Sequence, residues 1–339
     1  MRNKLNVAVI GLGVGAKHAQ IFESHKKVNL VSLCDFDKKK INLYKKKFKS
    51  CKFTNNADDI FKDPNIDVVS IASYDNFHSK HVLQAIQNNK HFFIEKPFCL
   101  NSVELNKICS NLKKKTKIIF SSNLILRSNP SFIDLKKKIG RKLIGKIYYC
   151  EGDYNYGRIN KILYGWRGQI PFYSVILGGA IHLIDLIIWL SGKKIKSVVA
   201  SGNKISTQNT KFKNFDLVTA LLKFEDGMIA KVTSNFGSVT PHHHVLSIYG
   251  TKSAFFYNNK EVKYYKSREN LNPEKIYSKF NNRQKSQVLR SFIDSIYYKK
   301  DLKVVHEKEI INLMSVCFAI EKSLKTKKWE KVEYTSYKK

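Results

Sequence analysis

Proline, arginine and negative charge are all scarce in this chain. Six prolines leave long stretches free to form regular structure, and only eight of the 61 basic residues are arginines, so 53 are lysines. Base readout and phosphate clamps favour the arginine fork, whereas these lysines are spread along the whole sequence. The runs Lys38 to Lys40, Lys45 to Lys47, Lys113 to Lys115 and Lys136 to Lys138 interleave with Ile41, Tyr44, Phe48, Leu112, Leu135 and Ile139, the pattern of solvated faces on amphipathic helices. The formal charge of +34 therefore implies a general attraction to polyanions, with no specific nucleic-acid partner.

Six cysteines without a CxxC pair exclude a disulfide scaffold and read as small buried hydrophobes of a reducing compartment. The chain also lacks an apolar run fit for lipid. Tyr173 to Leu190 is long enough, but His182 and Asp185 near its middle would be costly there. The opening MRNKLNVAVIGLGVGA has the basic front and apolar middle of a signal peptide, yet Gly11, Gly13 and Gly15 break it and Lys17 and His18 follow at once. A cytoplasmic protein without membrane contact is expected. His242, His243 and His244 do not make a metal site, because consecutive strand residues point to opposite sides; no metal is expected.

With 339 residues, 43% of them hydrophobic, the chain is long enough for two domains with separate cores. Leu5 to Ile10 is an apolar strand that runs into Gly11-Leu12-Gly13-Val14-Gly15-Ala16, and a helix can follow. In such a turn the first glycine permits the bend, the second lets backbone approach a pyrophosphate, and small Ala16 allows helix and strand to pack. The next strand, Val28 to Cys34, ends at Asp35, where a dinucleotide fold places the carboxylate that binds ribose. That carboxylate would repel a 2′-phosphate, so NAD is expected over NADP, with Lys38 and Lys39 moderating the preference.

Strands around Lys52 to Thr54, Ile66 to Ala72, His91 to Ile94 and Ile118 to Ser121 alternate with helices at His78 to Asn88 and Asn101 to Lys114, the pattern of a doubly wound parallel sheet. Charge appears where the Phe92-Phe93-Ile94 run stops, in Glu95-Lys96-Pro97, and the carboxyl end of a parallel strand is where such sheets bind ligands. Ser73, Asn76 and His78 fall at the same edge.

From Gly145 onward strands follow one another: Lys146 to Asp153, Ile195 to Ser201, Leu217 to Phe224, Met228 to Asn235 and Val245 to Tyr249, with Glu225-Asp226-Gly227 as a hairpin turn. Late helices are expected at Gln284 to Tyr298 and Glu307 to Leu324. His182 and Asp185 share a face of a helix starting near Gly178, so the carboxylate could orient the imidazole.

GLGVGA, the strand ending at Asp35, SYDNFH, EKP at Glu95 to Pro97 and NLILRSNP together resemble the Gfo/Idh/MocA family of NAD(P)-dependent sugar and cyclitol oxidoreductases. The resemblance implies an N-terminal Rossmann domain, residues 1–122, and a C-terminal α+β domain, residues 123–339, with an open, mostly antiparallel sheet through which a dimer or tetramer forms. It places the catalytic acid or base on His182, with Lys96 polarising the reacting oxygen. Cofactor contacts are expected at Gly11, Gly13, Val14, Gly15, Ala16, Asp35, Ser73, Asn76, His78, Glu95, Lys96, Trp166 and Arg167. Substrate contacts are expected at Lys96, Asn123, Tyr156, Arg158, Asp185 and His182. Gly178 stands where the family has an aspartate. The function expected is hydride transfer at a secondary alcohol or ketone of a sugar, with a nucleotide-linked sugar of surface-glycan synthesis as one candidate within that class. A non-catalytic NAD-binding sensor on the same fold is the alternative.

Overall fold

In the computed structural model, which describes residues 3–259, 261–276 and 280–337, the chain divides into two units. The first comprises Met1–Ile125, Lys285–Met314 and Thr335–Lys339, the second Leu126–Gln284 and Ser315–Tyr334. The single division expected after residue 122 thus gives way to one after Ile125, with two later stretches returning to the first unit. Long-range contacts bring them back: Phe292 packs on Phe93 with ring centroids 5.6 Å apart, and the Ser121 hydroxyl donates to the Val305 carbonyl at 2.9 Å.

Six strands form the sheet of the first unit: β1 Leu5–Ile10, β2 Val28–Cys34, β3 Lys52–Thr54, β4 Val68–Ile71, β5 His91–Ile94 and β6 Phe120–Ser122. They pair in parallel in the order β3-β2-β1-β4-β5-β6. The order reverses between β1 and β4, and at such a switch point the strand ends open a crevice for a ligand. Every residue of β4 is buried, as is the second half of β1, which explains their unbroken apolar sequence. The helices between strands begin on short polar side chains. Asp37, Asn56 and Asn101 accept from the backbone N–H groups of Lys39, Asp58 and Glu104.

The sheet of the second unit has nine strands: β7 Ile147–Asn155, β8 Ile195–Asn203, β9 Leu217–Phe224, β10 Ile229–Asn235, β11 His243–Gly250, β12 Ala254–Tyr257, β13 Val262–Tyr265, β14 Glu274–Ile276 and β15 Glu330–Lys331. Their order is β14-β13-β12-β11-β7-β10-β9-β8-β15, antiparallel throughout except for β7 with β10. Strands β12 to β15 were not expected from the sequence, because each has four residues or fewer, too short for an alternation to register. Alternate residues of β7 are buried, so one face of the sheet is covered and the other open. The covering element is a π-helical turn, Ile176–Ala180, running into the helix Ile181–Ser191. The stretch considered for lipid is thus core, and no helix among the described residues is long and apolar enough to cross a membrane.

Candidate active site

Gly11 leaves β1 with φ +91, and a Cβ there would overlap the Ala72 carbonyl, so the turn requires glycine. The close packing expected of Ala16 is made one residue earlier: a Cβ on Gly15 would stand 2.9 Å from Val9 and 3.0 Å from Ala72. Ala16 itself is buried. Around Gly13 nothing lies within 4 Å of where a Cβ would be, so backbone is open to a ligand there. The helix Gly15–Glu23 begins at this opening without an acidic residue in its first turn, leaving the positive end of its dipole to an anion.

Asp35, 3% exposed, ties this loop to β2. Its Oδ2 accepts from the Leu12 N–H at 2.6 Å and its Oδ1 from the Asp37 N–H at 2.9 Å. A carboxylate offers about four acceptor sites, so capacity remains for ribose hydroxyls. Of the lysines that follow, it is Lys40 that reaches Asp35, its Nζ 3.6 Å from Oδ2 and within 6 Å of the Phe36 and Tyr74 rings (5.6 and 5.9 Å). The open backbone at Gly13, the helix start and the carboxylate fit a dinucleotide.

The expected contacts after β4 and β5 separate into two kinds. His78 is fully buried, its Nδ1 2.5 Å from the Pro97 carbonyl and its Nε2 3.0 Å from that of Ser73. It braces the Glu95-Lys96-Pro97 loop against the turn after β4. Ser73 Oγ lies 2.9 Å from His81 Nδ1, and Asn76 is exposed. Burial first, then the neighbouring His78 and Lys80, push the His81 imidazole down to about 4.

Glu95 belongs to a network that the sequence reading did not anticipate. Its Oε1 stands 3.1 Å from His18 Nε2 and accepts from Asn123 Nδ2 at 2.6 Å, and His18 Nδ1 lies 2.9 Å from Ser70 Oγ. Burial alone would raise the Glu95 carboxyl, but hydrogen bonds from His18 and Asn123, with the charge of Lys96, outweigh it and hold the group below its ordinary range. Asn123, expected at the substrate, thus secures Glu95. His18 could have been noticed from its place beside Gly15, Ala19 and Phe22 on the buried stripe of its helix. Lys96 is half-buried at the carboxyl end of β5, on the sheet edge that also carries the glycine turn.

In the second unit His182 stands in a cluster of rings. Tyr154 of β7 is paired with His244 of β11 and Ser234 of β10, and its ring lies 6.4 Å from His182, 5.1 Å from His244 and 5.2 Å from His242. His182 and His244 are 6.5 Å apart. Tyr156 stacks on Phe236 at 4.3 Å, with the Arg158 guanidinium 5.7 Å from its ring. Burial, then the nearness of His242 and His243, push His244 down to about 3, so it is a neutral imidazole at neutral pH. His243 turns the other way, towards the Pro241 carbonyl and Asn155, as strand alternation requires.

Trp166 and Arg167 sit on the short helix Trp166–Gln169, the guanidinium 4.6 Å from the indole ring, and Arg167 Nε donates to the Tyr173 hydroxyl at 3.1 Å. Asp185, expected at the substrate, lies in the core. It is 1% exposed, and its carboxylate takes the buried Arg127 guanidinium, with Nη2 to Oδ1 at 2.6 Å and Nε to Oδ2 at 3.0 Å. A residue three positions from His182 on a helix that is buried on most sides finds a core partner first.

A parallel sheet opening at its switch point on a glycine turn, and a second, mostly antiparallel sheet bearing a histidine helix, define a two-domain nicotinamide-dependent oxidoreductase. The family model described as the oxidoreductase family with an NAD-binding Rossmann fold matches residues 5–123, and that of the GFO/IDH/MocA C-terminal domain matches residues 132–256. The chain belongs to this family, and NAD is its cofactor. It is similar to the myo-inositol 2-dehydrogenase of Thermotoga maritima, 25% identical over 265 residues covering 75% of each chain. It is also similar to the NAD(+)-dependent scyllo-inositol 2-dehydrogenase of Bacillus subtilis, 26% identical over 76% of this chain and 74% of that one. Among solved structures, the scyllo-inositol dehydrogenase of Lactobacillus casei with bound NAD(H) and scyllo-inositol superposes with a TM-score of 0.81 at 20% identity, covering 97% of this chain and 99% of the other. At that identity it speaks for the fold.

Proposed function

We propose that this oxidoreductase moves hydride between NAD and a secondary alcohol or ketone of a sugar or cyclitol, with Lys96 hydrogen-bonding the reacting oxygen and His182 exchanging its proton. Bound NAD supplies the hydride acceptor, and the chain must remove the hydroxyl proton as hydride leaves the carbon. The observation that carries this reading is the setting of His182, held among Tyr154, His242 and His244, with the neighbouring His244 kept neutral by burial. The inositol dehydrogenases among its relatives support the substrate class.

Within that class we infer a sugar carrying a negative charge, as a nucleotide-linked sugar does. Arg158, its guanidinium 5.7 Å from the Tyr156 ring, and Arg167, which donates to the Tyr173 hydroxyl, are two of only eight arginines in the chain and border the ring cluster that holds His182. We further infer that copies of the chain associate through the open face of the second sheet. Tyr149, Tyr249, Phe256 and Tyr265 form a row across it at successive centroid spacings of 5.7, 5.4 and 5.7 Å, beside a groove of about 550 Å³.

The test is NADH formation by the wild-type chain across free cyclitols, free sugars, sugar acids and nucleotide-linked sugars. Activity is expected with at least one class, with His182→Ala and Lys96→Met lowering kcat by about 100-fold while NAD still binds. NAD binding without turnover of any compound would favour the sensor, and normal turnover by the His182 variant would overturn the mechanism.

A further inference from the structure

Two glycines stand side by side in the helical segment before His182, where either weakens the helix relative to alanine. Neither has a positive φ, so conformation does not demand them; space does. A Cβ on Gly179 would stand 2.6 Å from the Tyr154 ring and 2.7 Å from that of Phe236, an apolar contact that seats the helix on the sheet. Gly178 is different, because what fills the place of its side chain is polar. A Cβ there would overlap the Tyr173 hydroxyl oxygen and come within 2.7 Å of the ring carbon that bears it.

The Tyr173 side chain is fixed from several sides. It is 3% exposed, packs edge-on to Trp166 at 6.2 Å and to Phe236 at 6.0 Å, and accepts from Arg167 Nε at 3.1 Å. Gly178 precedes His182 by four residues, close to one turn, so the two positions share a helix face. The phenol oxygen therefore occupies the surface of the turn before His182, the surface that a side chain at 178 would otherwise hold. With Arg167 donating to that oxygen, the phenol is polarised as a hydrogen-bond donor.

We propose that Tyr173, seated in the space left by Gly178 and backed by Arg167, is a positioning residue for the reaction at His182. It supplies from outside the helix the polar group that position 178 lacks. The assignment rests on the proposed role of His182 and names a residue and a pairing that this role does not require. A purely structural tyrosine would use its ring, and the hydroxyl would be expendable. A positioning tyrosine needs the oxygen.

The experiment compares Tyr173→Phe, His182→Ala, Tyr173→Ala and the double variant Tyr173→Ala with Gly178→Asp, using NAD and whichever cyclitol, sugar acid or nucleotide-linked sugar the wild type oxidises. Tyr173→Phe is expected to lower kcat by about tenfold, the worth of one hydrogen bond, with KM for the sugar, NAD affinity and melting temperature nearly unchanged. The double variant is expected to recover part of the kcat lost in Tyr173→Ala, because removing the ring makes room for a carboxylate at 178. Tyr173→Phe turning over within twofold of wild type while His182→Ala is inactive would overturn this inference and leave the function standing. So would a double variant no better than Tyr173→Ala. An active His182→Ala enzyme, or a wild type that oxidises nothing, would remove the underlying reading and this inference with it.

Discussion

Glu95 and His18 meet 3.1 Å apart next to Lys96, and Asn123 donates to the same carboxylate oxygen at 2.6 Å. A buried charge is tolerated only when its oxygens are bonded, so this small network fixes the residue that immediately precedes Lys96.

His18→Leu should therefore cost about 1–3 kcal/mol of stability, because it leaves Glu95 buried with one partner fewer. The pH dependence has a definite sign. The folded carboxyl lies below its ordinary value of 4.5, so its contribution is complete above that value and disappears as pH falls through the lower folded one. Urea melts of both proteins at neutral and acid pH measure this, and a variant as stable as wild type at neutral pH would show that the network is dispensable.

Breaking the Arg127 and Asp185 pair should be costlier. Both side chains are almost wholly buried, 1% and 2% exposed, and removing either partner leaves an uncompensated charge, worth about 3–5 kcal/mol. Arg127→Met together with Asp185→Leu should lose less than either alanine substitution alone. Thermal melts decide it: a double variant as unstable as the sum of two single losses would mean that shape, and not charge pairing, sets the cost.

Asp35 should govern cofactor choice. Asp35→Ser removes a charge and an acceptor pair and should weaken NAD binding by about 10- to 100-fold while admitting NADP, whose phosphate would find Lys40 nearby. Fluorescence titration with both reduced cofactors provides the measurement. Wild type binding NADPH more tightly than NADH would contradict the role given to Asp35.

His81 and His244 should make the protein acid-labile. Burial holds them at about 4 and about 3 in the folded chain against 6.5 when exposed, so below pH 6.5 the unfolded chain takes up protons that the folded chain refuses. Stability is expected to be full above pH 6.5 and to decline steadily as pH falls towards 4. His81→Gln should flatten that decline in denaturant melts across the range; an unchanged slope would place the titration elsewhere.

The sequence by itself determined whatever depends on neighbours along the chain. Buried parallel strands must be apolar throughout, a turn at positive φ over a carbonyl must be glycine, and a carboxylate at the next strand's end must follow at a set distance. Hence β1, Gly11, Asp35, the Glu95-Lys96-Pro97 strand end and the alternation of β7 to β11 were all legible. The change from a parallel to a mostly antiparallel sheet was legible for the same reason.

Only the tertiary structure decided which polar side chains found partners. Asp185 lies three residues from His182 yet pairs with Arg127, 58 positions away, and Glu95 pairs with His18 from another element. His244 reaches His182 because β11 pairs with β7, a register that no local pattern prints. Gly178 reads in sequence as a missing side chain, whereas in the fold Tyr173 fills its place. Burial makes an unpaired polar atom costly, so each takes the best partner the packing offers, and that choice is made in space after the chain has folded back on itself.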